Sequence, residues 1–379
     1  MNVLARVRGL SIRRFAPGDD EAINRFNARL KEGGSPLCMY SEPKSALRTS
    51  TDLPNEQLLV VTEGDEIRGG VFLRQAPFQF GTQVKSVGWI KWPISESLVD
   101  KSYAGRVTEC ILSGLQAVQP NLMMVGLGGH HAPFAKFLAK HGWSGSIVPT
   151  FVLPLHAHQI ATELPHLRRR QGFRLAASFT RWSGLGRLGN LLLPTIASVR
   201  ARTLAGTTTA SVSADLVENA NSIWESVRLR YDALAIRDAS WMQWSYPEEA
   251  PAVVRLSIMR GDRVIGWAIV QHHDRRKSTD HESYGRLRLG VIHDALCLPE
   301  DAESAFAATV LHLIEMGSDL IVTNQLHPSW QSAARRMGFL EAPPSFAFYR
   351  SPAIMHLFND LKVEQALLVN AADHGLLSF

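Results

Sequence analysis

GDEIRGGVFL, Gly64 to Leu73, recurs later in the chain as GDRVIGWAIV, Gly261 to Val270. In both, Gly-Asp stands between apolar runs, with EQLLVVTE before the first and AVVRLSIMR before the second. A two-residue connection of this kind predicts a tight β-hairpin, because glycine supplies the positive φ that hairpin turns favour. Asp65 and Asp262 stand 197 positions apart (262 less 65). A second landmark returns at nearly that interval: HAPFAKFLAKHGW, His131 to Trp143, and HPSWQSAARRMGF, His327 to Phe339, are offset by 196 (327 less 131). Each predicts a short amphipathic helix closed by a glycine, Gly142 or Gly338, in the left-handed position after the helix end. A strand is expected after each, in SIVPTFVLPL and in EAPPSFAFYRSP. Two landmarks of different kind, in one order, predict an internal duplication whose period is too long for a solenoid. Two unrelated α/β domains sharing turn chemistry are the alternative.

A chain of 379 residues accommodates two domains of about 150 to 200 residues each. With 45% hydrophobic and 20% charged residues, both can bury a core. Cys38, Cys110 and Cys297 are odd in number and lack metal spacing, which argues for a reducing compartment and against a disulfide framework. No apolar run approaches the ~20 residues of a membrane span, and MNVLARVRGLSIRRF lacks the apolar core and cleavage site of a secretory leader. A cytoplasmic location is expected. The net charge of +5 is concentrated: no acid lies between Glu163 and Asp215, where Arg168, Arg169, Arg170, Arg174, Arg181, Arg187, Arg200 and Arg202 fall. Such a block seeks solvent, an acidic surface or an anionic partner.

From LSIRRFAPGDDEAINRFNARL the chain reads strand, helix, hairpin, long strand, helix, strand, helix, strand. The long strand, SVGWIKWPISES, is expected to end near Pro93. The same order restarts near Ser211, with LRLGVIHDALCL as the second long strand. The expected organisation is an N-terminal domain over 1–160, a basic linker over 161–210, and a C-terminal domain over 211–379 with a helical tail. WSGLGRLGN in the linker is glycine-rich but follows no strand pattern, so it makes a weak phosphate loop.

This order resembles the GNAT superfamily of N-acyltransferases. A duplicated pair is similar to the Fem-type peptidyltransferases and to bacterial acyltransferases associated with extracellular polysaccharide. The likeness spans about Leu10 to Leu155 and Ser211 to Pro352 and rests on architecture more than on a diagnostic motif. IRDASWMQWSY, Ile236 to Tyr246, resembles a segment of the polysaccharide-associated members in which Arg-Asp precedes Trp-Arg-Tyr; Ser245 here replaces that arginine. The resemblance implies an α/β (α+β) fold of two tandem GNAT-like domains, each a mixed, mostly antiparallel sheet flanked by helices. It also implies acetyl-CoA or another acyl-CoA, bound non-covalently, with its pyrophosphate at the turn after the long strand.

In the first half that turn is VDKSYAGRV, which makes Lys101, Ser102, Tyr103, Ala104, Gly105 and Arg106 the cofactor-binding residues. Backbone N–H groups at a helix start bind anions, and glycine lets the backbone approach. The full glycine pattern of the superfamily is absent, and an ordinary helix capped by Asp100 or Ser102 is the alternative. The second-half counterpart, LPEDAESAFA, has no glycine and three acids, so CoA binding is expected to be lost there. Acyl transfer to an amine needs a base and a holder for the carbonyl. By the resemblance, the long strand around Trp92 holds the acyl group. Glu96 is the nearest carboxylate for a base, with a solvated loop acid as the alternative, and His130 and His131 can accept protons near neutral pH. No tyrosine lies between Tyr103 and Tyr231 to serve as the acid.

In the second half, Asp294 interrupts an apolar strand and must have a partner or a wet cleft, since burying it unpaired costs several kcal/mol. A substrate cleft lined by Arg237, Trp241 and Asp294 is one reading; a structural ion pair with Arg237 is the other. HHDRRKSTDHES carries His272, His273 and His281 but no pattern to fix them, so no metal is expected. Two function classes stay open. One is an acyl-CoA-dependent N-acyltransferase acting on a sugar amine or lipid-linked amine of the cell envelope, or Fem-like aminoacyl transfer. The other is a catalytically degenerate pair of such folds kept for binding or assembly. Two readings of 164–187, where aromatic and aliphatic residues lie among the arginines, stay open: peripheral contact with anionic membrane at the inner face, or a linker that packs its apolar face on the two domains and leaves its arginines in water; no nucleic-acid module accompanies the charge.

Overall fold

A computed structural model describes residues 3–40, 56–127, 131–163, 185–246, 253–275, 285–343, 346–358 and 367–368. The chain divides into two compact units, one of Met1–Ile147 with Phe346–Lys362, the other of Val148–Ser345 with Val363–Phe379.

The first unit is built on strands β1 (Val3–Val7), β2 (Leu10–Arg14), β3 (Glu56–Glu63), β4 (Glu66–Phe80), β5 (Gln83–Ser95), β6 (Leu122–Leu127) and β7 (Ser144–Val148). Its sheet is completed by β16 (Phe346–Arg350), in the order β1-β2-β3-β4-β5-β6-β16-β7. β5 and β6 run parallel, while β2 through β5 pair antiparallel. Helix α1 (Asp20–Glu32) buries Ile23, Phe26 and Leu30 against Leu58, Val60 and Phe72 on one face. Each such side chain contributes about 1.5–3 kcal/mol. Helices α2 (Arg106–Val118) and α3 (Pro133–Lys140) cover the other face, where Val107, Ile111, Leu115 and Leu138 meet Leu59, Leu73 and Ile90.

The second unit contains β8 (Thr150–Pro154), α4 (Ala157–Glu163), α5 (Leu185–Ala205), β9 (Thr208–Val212), α6 (Leu216–Val227), β10 (Ala233–Ala235), α7 (Ala239–Ser245) and the hairpin β11 (Val253–Arg260) and β12 (Arg263–Asp274). After these come β13 (Arg288–Cys297), α8 (Ala302–Glu315), β14 (Leu320–Asn324), α9 (Pro328–Met337), β15 (Leu340–Glu341) and the short β17 (Leu367–Leu368), which pairs with β10. Its main sheet follows the order β15-β8-β14-β13-β12-β11-β9.

From β2 onward the first sheet corresponds strand by strand to the second, read from β9. Each hairpin closes by a direct pair, Glu63↔Glu66 or Arg260↔Arg263, around a glycine at φ 58°. Each then carries a bulge one residue before a glycine: Thr62↔Ile67 is followed by Val61↔Gly69, and Met259↔Val264 by Ile258↔Gly266. Those glycines are required by close approach. A Cβ on Gly69 would lie 2.6 Å from the Ile94 carbonyl oxygen, and one on Gly266 would lie 2.4 Å from that of Leu296. The expected helix ends also hold, with Gly142 at φ 78° and Gly338 at φ 90°.

Four expectations are corrected. The closing strands are exchanged: β16 pairs with β6 in the first sheet, and β8 pairs with β14 in the second. SIVPTFVLPL breaks at Pro149 into β7 and β8, each in a different unit, so 160 is not a boundary. Residues 185–212 are no linker, since α5 packs on α8 and β9 pairs with β11, both inside the second unit. Finally, β5 continues through Pro93 to Ser95, because a bulge there relieves proline of any need to donate to the ladder.

Candidate active site

The long strand β5 pairs with β4 along its whole length but with β6 at only two positions, Gly88↔Leu122 and Trp89↔Met123. On its other edge β6 bonds to β16, from Met123↔Arg350 to Leu127↔Phe346. Among the described residues, no ladder joins β5 after Trp89 to β6 after Met123. The strands part there. In that stretch β5 is bulged: Gly70↔Ile94 and Phe72↔Lys91 leave Trp92 and Pro93 opposite Val71. Trp92 sits at φ 52° with its side chain 40% exposed. A bulky residue in this region costs about 1–3 kcal/mol, and such strain is usually retained where backbone groups must be aimed.

The strand runs into two short 3-10 turns, Glu96–Leu98 and Lys101–Tyr103, and then into α2. Gly105, at φ 78°, is the N-cap of α2; no side chain caps the helix, and a Cβ there would meet nothing within 4 Å. The helix start is thus open, with the unpaired N–H groups of a first turn. Lys101, Ser102, Ala104 and Gly105 are exposed. Part of the expected set is otherwise committed. Ser102 N–H donates to Asp100 at 2.9 Å, and Lys101 Nζ reaches Ser97 O at 3.3 Å. Arg106 donates to Arg8 O at 2.9 Å and lies 5.6 Å from the Tyr103 ring. The Tyr103 hydroxyl donates to Glu63 Oε2 at 2.6 Å, and burial, with that bond, pushes its phenol up to about 12. Tyr103 and Arg106 therefore shape the turn rather than face a ligand with free groups.

Glu96 is neither solvated nor free. It is buried, with Arg29 donating to it at 2.6 and 3.2 Å and Arg68 at 3.1 and 3.2 Å. Arg29 also bonds Glu66 and the Ile67 carbonyl, and Arg68 bonds Glu63. Two guanidiniums occupying both oxygens make Glu96 the anchor of the β5 end, a correction to its expected role as base. No local pattern announced Arg29 and Arg68; they come from α1 and from the residue just before Gly69. His131 is exposed before α3, whose N-cap is Ala132, and His130 lies outside the described residues. His131 is not the counterpart of His327, which is itself the N-cap of α9 and accepts from Ser329 N–H at 3.2 Å. Tyr349 on β16 stands opposite Met124 on β6 and is buried in the core of the first unit.

In the second unit β13 and β14 also part, after Ile292↔Thr323. A register shift leaves His293 unmatched between Ile269↔Asp294 and Val270↔Ile292. Arg237 and Asp294, wholly buried, pair at 3.0 Å, and Arg237 also donates to Ala235 O and lies 5.5 Å from the half-buried Trp241 ring. They form a core ion pair, which corrects the expected substrate cleft. The Tyr231 hydroxyl donates to Cys297 O at 2.9 Å and accepts from Trp330 Nε1 at 3.2 Å. Burial pushes His327 down to about 4, and burial with nearby His273 pushes His293, bonded to Gln271 at 2.6 Å, down to about 3. At the start of α8, Glu300 pairs with Arg230, Asp301 with Arg260 and Glu303 with Arg336. His281 and the arginines from 168 to 181 lie outside the described residues.

Each of the two mixed sheets thus has a central parallel pair that parts after a bulge in its long strand. No protein-family model matches the chain, and no curated protein does. Solved structures match the fold. An Enterococcus faecalis V583 protein of unknown function, described as a probable N-acyltransferase, aligns over 92% of this chain and 74% of its own, at 8% identity and TM-score 0.53. Saccharomyces cerevisiae N-myristoyltransferase, solved with bound myristoyl-CoA and inhibitors, aligns over 93% of this chain and 82% of its own, at 9% identity and TM-score 0.54. At these identities the likeness is one of fold.

Proposed function

We propose that the protein is an acyl-CoA-dependent N-acyltransferase whose first unit binds the cofactor non-covalently. One observation carries this reading: β5 and β6 part after two paired positions, directly before the uncapped, glycine-opened start of α2. A helix start with free N–H groups stabilises a pyrophosphate, and a strand edge without a ladder offers N–H donors to a pantetheine chain and an acyl carbonyl. The strained bulge at Trp92 aims backbone groups into that stretch. The bound myristoyl-CoA of the yeast neighbour supports the same class of ligand. Glu96, through Arg29 and Arg68, holds the strand end in place. The proton acceptor is proposed to be His130 or His131, which follow β6 in the chain, and Tyr349, buried on β16, is proposed as the acid.

The second unit is proposed to have arisen with the first by duplication, followed by exchange of the closing strands, and to have lost cofactor binding. The turn before α8 has no glycine to open it, and its three acids are each paired with an arginine, which leaves no net positive charge there for a pyrophosphate. The acceptor is proposed to be an amine on a sugar or lipid-linked envelope precursor, from the likeness of Ile236 to Tyr246. Calorimetry with acetyl-CoA tests the cofactor assignment. Gly105→Asp puts a carboxylate at the open helix start and should abolish binding, whereas Glu300→Gln should leave it unchanged. Equal affinity of wild type and Gly105→Asp removes this site.

A further inference from the structure

Helix α5 has one face on the second unit and another left bare. Ala197, Ala201 and Ala205 are buried, and the helix packs on α8. On the opposite side Leu192, Ile196 and Val199 are 49%, 52% and 58% exposed, at the i, i+4, i+7 spacing that makes one stripe. At about 100° per residue, Arg200 and Arg202 fall about 80° to either side of that stripe. α5 contains no acidic residue, and none occurs between Glu163 and Asp215. Beside the stripe, α5 and α9 bound an open groove of about 510 Å³ lined by Thr195, Ile196, Val199, Arg200, Thr203, Leu204 and Arg336. Arg336 is neutralised by Glu303, so Arg200 carries the groove's charge.

We infer that this face of α5 docks on a bilayer surface bearing anionic lipids. An apolar stripe flanked by cations is the geometry that seats a helix at the headgroup boundary, with aliphatic side chains inserted and guanidiniums at phosphate level. Nucleic acid fits the charge but gains nothing from three bare aliphatic side chains, and a second copy of the chain would set like charges together. The placement is independent of the acyl-transfer reading, although a lipid-linked acceptor would make it useful. Among the described residues no helix is long and apolar enough to cross a membrane.

Vesicle sedimentation of the full chain tests it. Wild type should pellet with vesicles of phosphatidylcholine and phosphatidylglycerol, not with phosphatidylcholine alone, and less at about 0.5 M than at about 0.05 M salt. Ile196→Glu/Val199→Glu should weaken binding by more than about tenfold with the thermal melt unchanged, because both side chains are already over half exposed. Arg202→Gln should weaken it about fivefold. The inference is overturned by wild type staying in the supernatant, or by the double variant pelleting as wild type does. It is equally overturned if the double variant merely converts a dimer to a monomer in velocity sedimentation, or if wild type binds a single-stranded RNA that the double variant binds equally well in place of vesicles.

Discussion

Replacing Asp294 by Asn tests whether the Arg237–Asp294 pair is core structure or substrate chemistry. Both side chains have no exposed surface, and the guanidinium Nε lies 3.0 and 3.2 Å from the two carboxylate oxygens. Removing one charge leaves the other buried and uncompensated, which costs about 3–5 kcal/mol. That is a large part of the ~5–15 kcal/mol that holds a domain folded. For a unit of this size it corresponds to a drop in melting temperature of about 6–20 °C. Replacing both partners by apolar residues of similar volume, Arg237→Met with Asp294→Leu, should restore stability to within about 2 kcal/mol of wild type, because no charge is then stranded. Urea unfolding followed by tryptophan fluorescence reads this directly, since Trp241 stacks near the guanidinium and on Trp267. An Asp294→Asn protein that unfolds at the wild-type urea midpoint, yet loses activity, would refute the structural assignment and return Asp294 to the substrate.

Further outcomes are expected. His293 and His327 are held near pH 3 and 4 against an ordinary value of 6.5, so both stay neutral in the fold while the unfolded chain takes up their protons below pH 6.5. Stability is therefore full above pH 6.5 and falls as pH drops, by about 2 kcal/mol per histidine between pH 7 and pH 5. His293→Gln should remove its share, about 2 kcal/mol, from that fall in urea melts; an unchanged slope would contradict the burial of His293. Gly266→Ala and Gly69→Ala force a Cβ onto a neighbouring carbonyl oxygen and should each cost about 1–3 kcal/mol. Gly126→Ala meets only the flexible end of Met124, at 3.0 Å, and should stay within about 0.5 kcal/mol by the same assay.

The hairpins and helix ends were legible because turn chemistry is local. Gly64, Gly261, Gly142 and Gly338 each sit at positive φ for reasons contained in a few neighbouring residues. The exchange of β8 and β16 was not, because an apolar strand such as TFVLP or FAFYR carries no label for the sheet it joins. Asp294 announced that it needed a partner but not that Arg237 would be fully sealed with it. Glu96 was misread for a similar reason: Arg29 and Arg68 reach it from 67 and 28 positions away in the chain. Pro93 looked like a strand end because the bulge that tolerates it is a property of two strands together.

Hydrogen exchange with and without acetyl-CoA tests the central claim most directly. Slowed exchange is expected in residues 90–107 and 124–127, where β5 and β6 part and α2 begins, with none added at 293–303. Protection confined to 293–303, or no protection in the first unit at saturating acetyl-CoA, would contradict it.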